Sequence, residues 1–204
     1  LQVQAFEPIK NGQDFIGKAK TGTGKTMAFV LPLLERLREI RARKTPKVLV
    51  VSPTRELANQ ITDEFKYYGP EFRMVCCYGG VPLGKQIDMI SRGLENIVAT
   101  PGRLLDLMGR RVIPLEHIST VVVDEADHMM DIGFKEDLDE ILTVVNSSVS
   151  DLQLLLFSAT IPPWIQSIVA QYIKPNKLFI DAVGHENHTA DKIKPYAIPC
   201  TDED

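Results

Sequence analysis

The chain has 204 residues, of which 44% are hydrophobic and 25% are charged, values that exclude a disordered or collagen-like protein. Its 23 basic and 27 acidic residues give a formal net charge of −4, so any contact with nucleic acid must come from local groups of basic residues. The three cysteines have neither disulfide nor zinc spacing. No apolar run reaches the length of a membrane span and the first residues lack the features of a signal peptide, so we expect an intracellular protein.

Short apolar runs alternate with helical patterns along the chain. The predicted strands are 14–16, 48–51, 73–78, 96–99, 120–123, 153–157 and 177–180. The predicted helices are 25–43, 55–68, 85–92, 103–108, 135–145 and 163–173. This alternation predicts an α/β domain with a mostly parallel central sheet and helices on both faces. We expect the domain to span residues 1–182 and residues 183–204 to form a connecting segment.

The segment from Ala19 to Thr26 reads Ala-Lys-Thr-Gly-Thr-Gly-Lys-Thr and lies between a predicted strand and a long predicted helix. Glycines in such a loop let backbone amides turn toward a phosphate, and the helix N-terminus adds partial positive charge. We expect the Lys25 ammonium to reach the terminal phosphates and the Thr26 hydroxyl to bind Mg²⁺. The residues predicted to bind the nucleotide are Thr21, Gly22, Thr23, Gly24, Lys25 and Thr26.

A second motif follows three consecutive valines that read as a buried strand, because Asp124 and Glu125 come directly after them. Asp124 is suited to hold Mg²⁺, and Glu125 is suited to orient and deprotonate an attacking water. With Lys25, these two acids form the predicted catalytic group. We expect the three side chains to meet across a crevice where two neighbouring strands end.

Polar or glycine-rich clusters follow six of the predicted strands, at 21–26, 53–56, 79–80, 100–103, 124–127 and 158–160. Because the carboxyl ends of parallel strands lie along one edge of a sheet, these clusters are expected to line a single surface. Several of them combine arginine, hydroxyl and glycine residues, which suit phosphate groups. Contacts of that kind position a nucleic-acid backbone without reading its sequence.

In this order, the motifs resemble those of the N-terminal RecA-like domain of DEAD-box ATP-dependent RNA helicases, over roughly residues 1–180. They are Gly-Thr-Gly-Lys-Thr, Pro-Thr-Arg-Glu-Leu-Ala, Gly-Gly, Thr-Pro-Gly-Arg, Asp-Glu-Ala-Asp and Ser-Ala-Thr. The resemblance implies a RecA-like P-loop NTPase fold. Residues 157–164 also resemble the branch that contains nucleolar RNA helicase two and its plant organellar relatives, which implies a nuclear or nucleolar location, with the plastid as an alternative.

The resemblance also assigns roles to residues. Gln4 is implied to read adenine, because an amide can bond both the ring nitrogen and the amino group. Asp127 is implied to bond Ser158 and Thr160, which would join the ATP site to the RNA surface. The residues implied to contact RNA phosphates and sugars are Thr54, Arg55, Gly80, Thr100 and Arg103.

The sequence departs from the family pattern at Lys20, where Gln is usual, and at His128, where Arg or Glu is commoner. The second RecA-like domain, which carries the arginine fingers and half of the RNA cleft, lies outside these residues. We therefore expect this domain alone to hydrolyse ATP poorly. The intact chain is expected to be a monomeric, RNA-stimulated ATPase that unwinds RNA duplexes locally or remodels RNA–protein complexes.

Two alternatives remain open from the residues. One is an RNA clamp or scaffold that is gated by ATP and turns it over little, although the phosphate-loop lysine and the acid pair argue against it. The other is a different phosphate-loop NTPase, such as a small-molecule kinase, for which the clusters at 100–103 and 158–160 would have no use.

Overall fold

Seven strands and eight α-helices alternate along the chain in a computed structural model that describes residues 1–20, 22–40 and 45–183. The strands are β1 (Phe15–Lys18), β2 (Val48–Val51), β3 (Met74–Cys77), β4 (Asn96–Ala99), β5 (Thr120–Val123), β6 (Gln153–Ser158) and β7 (Leu178–Asp181). The helices are α1 (Gln2–Lys10), α2 (Lys25–Glu39), α3 (Arg55–Tyr68), α4 (Leu83–Ser91), α5 (Pro101–Gly109), α6 (Ala126–Asp131), α7 (Lys135–Ser148) and α8 (Pro163–Tyr172).

The strands form one sheet in the order β3-β4-β2-β5-β6-β1-β7, and every neighbouring pair is parallel. The α/β prediction is therefore confirmed. Strand β6 lies between β1 and β5, so the expectation that the phosphate loop and the acid pair follow neighbouring strands is wrong. Apolar runs show which segments are strands, but they do not encode the order in which crossovers place them.

Two hydrophobic clusters, one on each face of the sheet, hold the helices. Val48 and Val50 pack in one cluster with α1, α2 and α3, whereas Leu49 and Val51 pack in the other with α4 to α8. Because successive side chains of a strand point to opposite faces, such runs must be apolar throughout. Helices on both faces are thus confirmed.

The sequence did not predict helices α1 and α6. Helix α1 carries Pro8 inside it and buries only Ala5 and Ile9, so its apolar period is weak. Helix α6 has six residues, too few for a periodic pattern.

The long second helix ends at Glu39, four residues before the predicted end, and residues 41–44 lie outside the described part. The predicted connecting segment is 183–204, and the structure describes only its first residue, Val183. Among the described residues, no helix has the length and apolar character needed to cross a membrane.

Candidate nucleotide site and nucleic-acid interface

The phosphate loop connects β1 to α2 through two glycines in left-handed backbone conformations. Gly22 and Gly24 both have φ of +80°, a region that L side chains adopt at a cost. No atom lies within 4 Å of the position that a Cβ would take on Gly22, so the loop leaves open space there. The Thr23 hydroxyl donates a hydrogen bond to the Lys20 carbonyl oxygen at 2.7 Å and fixes the turn. The predicted contact at Thr21 falls outside the described residues.

Lys25 is the first residue of α2, and only 6% of it is exposed. Its ammonium attracts the Asp124 carboxylate, because the charge of Lys25 opposes the rise in the pKa of that carboxyl. A cation that the protein covers this far favours an anion as its partner. Thr26, half-buried, follows it at the same helix N-terminus. This end of α2 therefore provides the charge and the hydroxyl that a phosphate–cation pair requires.

Asp124 lies at the end of β5, where its backbone amide donates to the Val51 carbonyl oxygen at 3.0 Å. It is 2% exposed, and this burial raises the pKa of its carboxyl to about 6, against the opposing attraction of the Lys25 ammonium. Glu125 adds repulsion that acts in the same direction as burial. A buried carboxylate that is costly to ionise gains from a cation beside it, so the group fits a hard divalent ion with oxygen ligands.

Glu125 precedes α6 as its N-cap and has φ of +51°, a left-handed conformation for a residue other than glycine. Its backbone amide donates to the Asp124 Oδ1 atom at 3.0 Å, which ties the two acids together. The Glu125 Oε2 atom lies 3.3 Å from the Nδ1 atom of His128. Left-handed backbone in such a residue costs about 1–2 kcal/mol. The fold accepts this cost at the position proposed for the catalytic base.

Asp127 connects α6 to the segment after β6. Its carboxylate accepts hydrogen bonds from the Ala159 amide at 3.4 Å and from the Thr160 amide and hydroxyl, both at 3.0 Å. The Ser158 hydroxyl oxygen accepts from the Asp127 backbone amide at 3.2 Å. Burial opposes ionisation of Asp127, but the hydrogen bonds from Ser158, Thr160 and the two amides outweigh it and lower the pKa. The structure thus brings these three predicted residues into one network.

The amide that reaches the phosphate loop belongs to Gln2 and not to Gln4. The Gln2 Nε2 atom donates to the Gly24 carbonyl oxygen at 3.2 Å, and a Cβ on Gly24 would collide with this amide. Residues two apart on an α-helix lie about 200° apart around its axis, so Gln4 points away from the loop. The resemblance implied Gln4, and the sequence analysis did not predict the helix that places Gln2 against the loop.

A cavity of about 460 Å³ opens beside the phosphate loop, between α1 and α2. Apolar side chains and one amide form most of its wall, and the lining residues are Gln2, Val3, Phe6, Glu7, Met27 and Leu31. Its size and apolar lining suit a planar heteroaromatic ring, with the Gln2 amide as the polar group that orients the ring. The sequence analysis missed this cavity, because Met27 and Leu31 there look like core residues of an amphipathic helix.

A second cavity of about 460 Å³ lies at the other end of the same sheet edge, beyond the ends of β2, β3 and β4. Of the residues predicted to contact RNA, Arg55, Thr100 and Arg103 line it, together with Pro53, Tyr78, Gly79, Gly102, Asp106 and Phe134. Thr54 caps α3, because its Oγ1 atom accepts from the Leu57 amide at 3.2 Å. Gly80 is exposed, with φ of +83°. Cationic, hydroxyl and glycine groups therefore converge here.

Arg103 has a structural task within this cavity that the sequence did not reveal. Its Nη1 atom donates to the Val81 carbonyl oxygen at 3.1 Å and to the Gln86 Oε1 atom at 2.7 Å. The buried amide of Gln86 in turn donates to the Tyr78 carbonyl oxygen at 3.2 Å. Arg103 and Gln86 thus hold the glycine segment at 79–80 in place. In the sequence, Gln86 resembles an ordinary surface residue of a helix.

A larger cavity of about 620 Å³ lies at the opposite edge of the sheet, before the strands begin. Residues near Pro46, Leu94 and Ile113 line it, and none of the six polar clusters does. The chemistry of the domain is therefore concentrated at the carboxyl edge.

An open parallel sheet with a glycine-rich loop before a helix, a buried lysine and a carboxylate across from it defines a phosphate-loop nucleotide-binding domain. The model of the DEAD/DEAH box helicase family matches residues 1–168 of the chain. The chain belongs to this family, and its residues 124–127 read Asp-Glu-Ala-Asp.

Curated relatives agree with this assignment. The chain is 41% identical over 203 residues to the mitochondrial DEAD-box ATP-dependent RNA helicase 9 of Arabidopsis thaliana, covering 97% of this chain and 33% of the relative. It is 38% identical over 207 residues to nucleolar RNA helicase 2 of Rattus norvegicus, covering 98% of this chain and 26% of that protein. The chain therefore spans about a quarter to a third of the length of these relatives.

Solved structures show the same fold. A hypothetical ATP-dependent RNA helicase from Sulfolobus tokodaii superposes with a TM-score of 0.78 at 38% identity, covering 89% of this chain and 51% of that one. A DEAD box protein from Methanococcus jannaschii gives a TM-score of 0.78 at 33% identity, covering 88% and 48%. The domain is a RecA-like domain of the DEAD-box type.

Proposed function

We propose that this chain is the nucleotide-binding domain of an ATP-dependent RNA helicase, in which ATP hydrolysis is coupled to local unwinding of RNA or remodelling of RNA–protein complexes. The observation that carries the proposal is the attraction between Lys25, which is 6% exposed at the N-terminus of α2, and the buried Asp124 carboxyl, whose pKa burial raises to about 6. A phosphate would partner the lysine, and a cation would partner the carboxylate.

In the proposed site, Lys25 holds the terminal phosphates and the loop amides from Gly22 onward surround the others. Thr26 and Asp124 would hold a magnesium ion, which would neutralise charge on the phosphates. Glu125 accepts a proton from the attacking water. Gln2, in place of Gln4, orients the adenine ring in the cavity beside α1, because its amide already lies against the phosphate loop.

RNA is the proposed partner of the cavity at the ends of β2, β3 and β4. Arg55 is exposed there, and the Thr100 hydroxyl makes no capping bond with α5. These groups and the glycine amides suit phosphate and ribose oxygens, so the recognition is independent of base sequence. Thr54 and Arg103 also hold local structure, and we propose that they contact the RNA backbone in addition.

Asp127, Ser158 and Thr160 are proposed to couple the two sites. Ser158 ends β6, which lies between the strands that carry the phosphate loop and the acid pair. We propose that a displacement of either strand moves β6 and, through it, the segment in which Thr160 bonds Asp127.

The whole protein is proposed to contain a second RecA-like domain, joined through residues 183–204 and closing over ATP and RNA. Without its arginine groups, the domain described here would lose about 10³–10⁵ in hydrolysis rate. The monomeric state and a nuclear or nucleolar location stay predictions, since relatives carry mitochondrial, chloroplastic and nucleolar names.

The test is Glu125→Gln in the full-length protein. We expect ATP and RNA binding to persist while RNA-stimulated phosphate release falls by at least about 10²-fold. Wild-type hydrolysis in this variant would remove Glu125 from its role. Tight RNA retention with negligible turnover in the wild-type protein would favour the ATP-gated clamp.

A further inference from the structure

The carboxylate of Glu125 has one partner in the described part of the chain, and that partner is His128. Glu125 Oε2 lies 3.3 Å from His128 Nδ1, three residues further along the first turn of α6. The histidine tautomer that carries a proton on Nδ1 can donate a hydrogen bond to this carboxylate oxygen. The contact therefore fixes both the ring orientation of His128 and one oxygen of Glu125.

The backbone conformation of Glu125 makes this contact possible. With φ of +51°, Glu125 directs its side chain back over the turn that His128 belongs to. The Glu125 side chain is 19% exposed and that of His128 is 44% exposed. The carboxylate is thus more buried than the histidine that contacts it, and the neighbouring Asp124 is more buried still.

We propose that His128 is a positioning residue for Glu125: it holds Oε2 so that Oε1 alone is free to accept the proton of the attacking water. This inference rests on the proposed role of Glu125 as the base. A glutamate side chain that is free to rotate would present its oxygens in many orientations, and misplacement of a catalytic group lowers the rate steeply.

The first test measures kinetics in the full-length protein. His128→Ala and His128→Leu should lower kcat of RNA-stimulated hydrolysis by about tenfold, while the KM for ATP and the affinity for RNA stay unchanged. His128→Asn should retain most of the wild-type kcat, because the asparagine amide nitrogen can occupy the position of Nδ1. Equal melting temperatures of the wild-type protein and the three variants would exclude a folding defect as the cause.

The second test needs no turnover. In the nucleotide-free full-length protein labelled with ¹⁵N-histidine, Glu125→Ala should shift the ring nitrogen resonances of His128. His117, which lies 4.0 Å from Glu116, is the matched control and should not shift. An unshifted His128 ring, or wild-type kcat in His128→Ala, would overturn the inference. These outcomes would leave the proposed function intact, because Glu125→Gln tests that function independently.

Discussion

Thr160 bonds the carboxylate of Asp127 twice, through its backbone amide and its hydroxyl, each at 3.0 Å. This pair joins α6, at the proposed ATP site, to the segment that follows β6. Thr160→Val removes the hydroxyl bond and keeps the amide bond. We expect the domain to lose about 1 kcal/mol of stability and the RNA-stimulated part of the ATPase to fall more than the RNA-independent part.

The control for this variant is Thr143→Val on α7, which removes an exposed hydroxyl that lies 2.8 Å from the Tyr172 Oη atom. In steady-state ATPase assays with and without RNA, Thr143→Val should have the same rates as the wild-type protein. Equal RNA stimulation in Thr160→Val and wild type would contradict the proposed coupling.

Asp124 and Asp127 should respond oppositely to neutralisation. Burial raises the pKa of Asp124 to about 6, so ionised Asp124 destabilises the nucleotide-free domain above that pH. Asp124→Asn should therefore stabilise it at pH 7 by about 2–3 kcal/mol, and the gain should vanish as the pH falls toward 4.

Asp127→Asn should destabilise the domain at pH 7, because the folded protein lowers the pKa of Asp127 and gains stability from its ionised form. That loss should shrink as acid protonates the wild-type carboxyl. Urea unfolding at several pH values without Mg²⁺ or nucleotide measures both variants. If both variants were destabilised at pH 7, the ionised Asp124 carboxylate would not be unfavourable in the folded domain, and the prediction would be wrong.

Helices α5 and α6 end with the same backbone conformation, but the left-handed position is Arg111 after α5 and Gly133 after α6. The two positions therefore allow a direct comparison of arginine and glycine in stability measurements. After α5, Arg111 takes φ of +54°, and the amides of Arg111 and Val112 donate back to Met108 and Leu107. After α6, Gly133 takes φ of +86° with equivalent bonds. Both are helix-terminating motifs that favour glycine.

Arg111→Gly should raise stability by about 0.5–1 kcal/mol, and Gly133→Ala should lower it by about 1 kcal/mol. Both positions are exposed, and no atom lies within 4 Å of a Cβ on Gly133, so packing does not contribute. Thermal unfolding would decide the matter, and a destabilised Arg111→Gly would mean that the arginine side chain makes a contact of its own.

Gln2 and Gln4 provide a direct comparison at the proposed adenine site. Gln2→Ala removes the amide that lies against Gly24, whereas Gln4→Ala changes an exposed residue on the other side of α1. Titration with fluorescent ATP and GTP analogues should show weaker ATP binding and lost preference for adenine only in Gln2→Ala. The reverse pattern would restore Gln4 to the role that the sequence suggested.

Arg55 and Arg103 should separate RNA binding from structure. Arg55 is exposed, and its ion pair among the described residues is with its neighbour Glu56 at 3.2 Å, so Arg55→Ala should weaken RNA binding without lowering stability. Arg103→Ala should lower both, because it also removes the donor that bonds the Oε1 atom of the buried Gln86 side chain. RNA titrations at several salt concentrations, with melting temperatures alongside, would reveal the difference. An unfolding midpoint equal to wild type in Arg103→Ala would contradict the structural role.

Sequence patterns predicted the parallel sheet, the helices on both faces and the edge at which the polar clusters meet, because these depend on local periodicity and on a general property of parallel strands. They did not predict features that depend on tertiary structure. The position of β6 between β1 and β5 depends on crossovers, and the contact of Gln2 with the phosphate loop depends on how far α1 rotates between neighbouring residues. The hydrogen bond from Arg103 to Gln86 joins residues 17 apart, and neither the RNA contact predicted for Arg103 nor the helical position of Gln86 indicates it.

The sheet order has a consequence for how the domain is made. Among the described strands, β1 pairs with β6 and β7 alone, and both are 135 or more residues later in the chain. During synthesis, β1 therefore leaves the ribosome long before β6 and β7, and it stays unpaired until those two strands have also been synthesised. The nucleotide pocket is completed last, and a nascent chain arrested before residue 150 should bind no ATP.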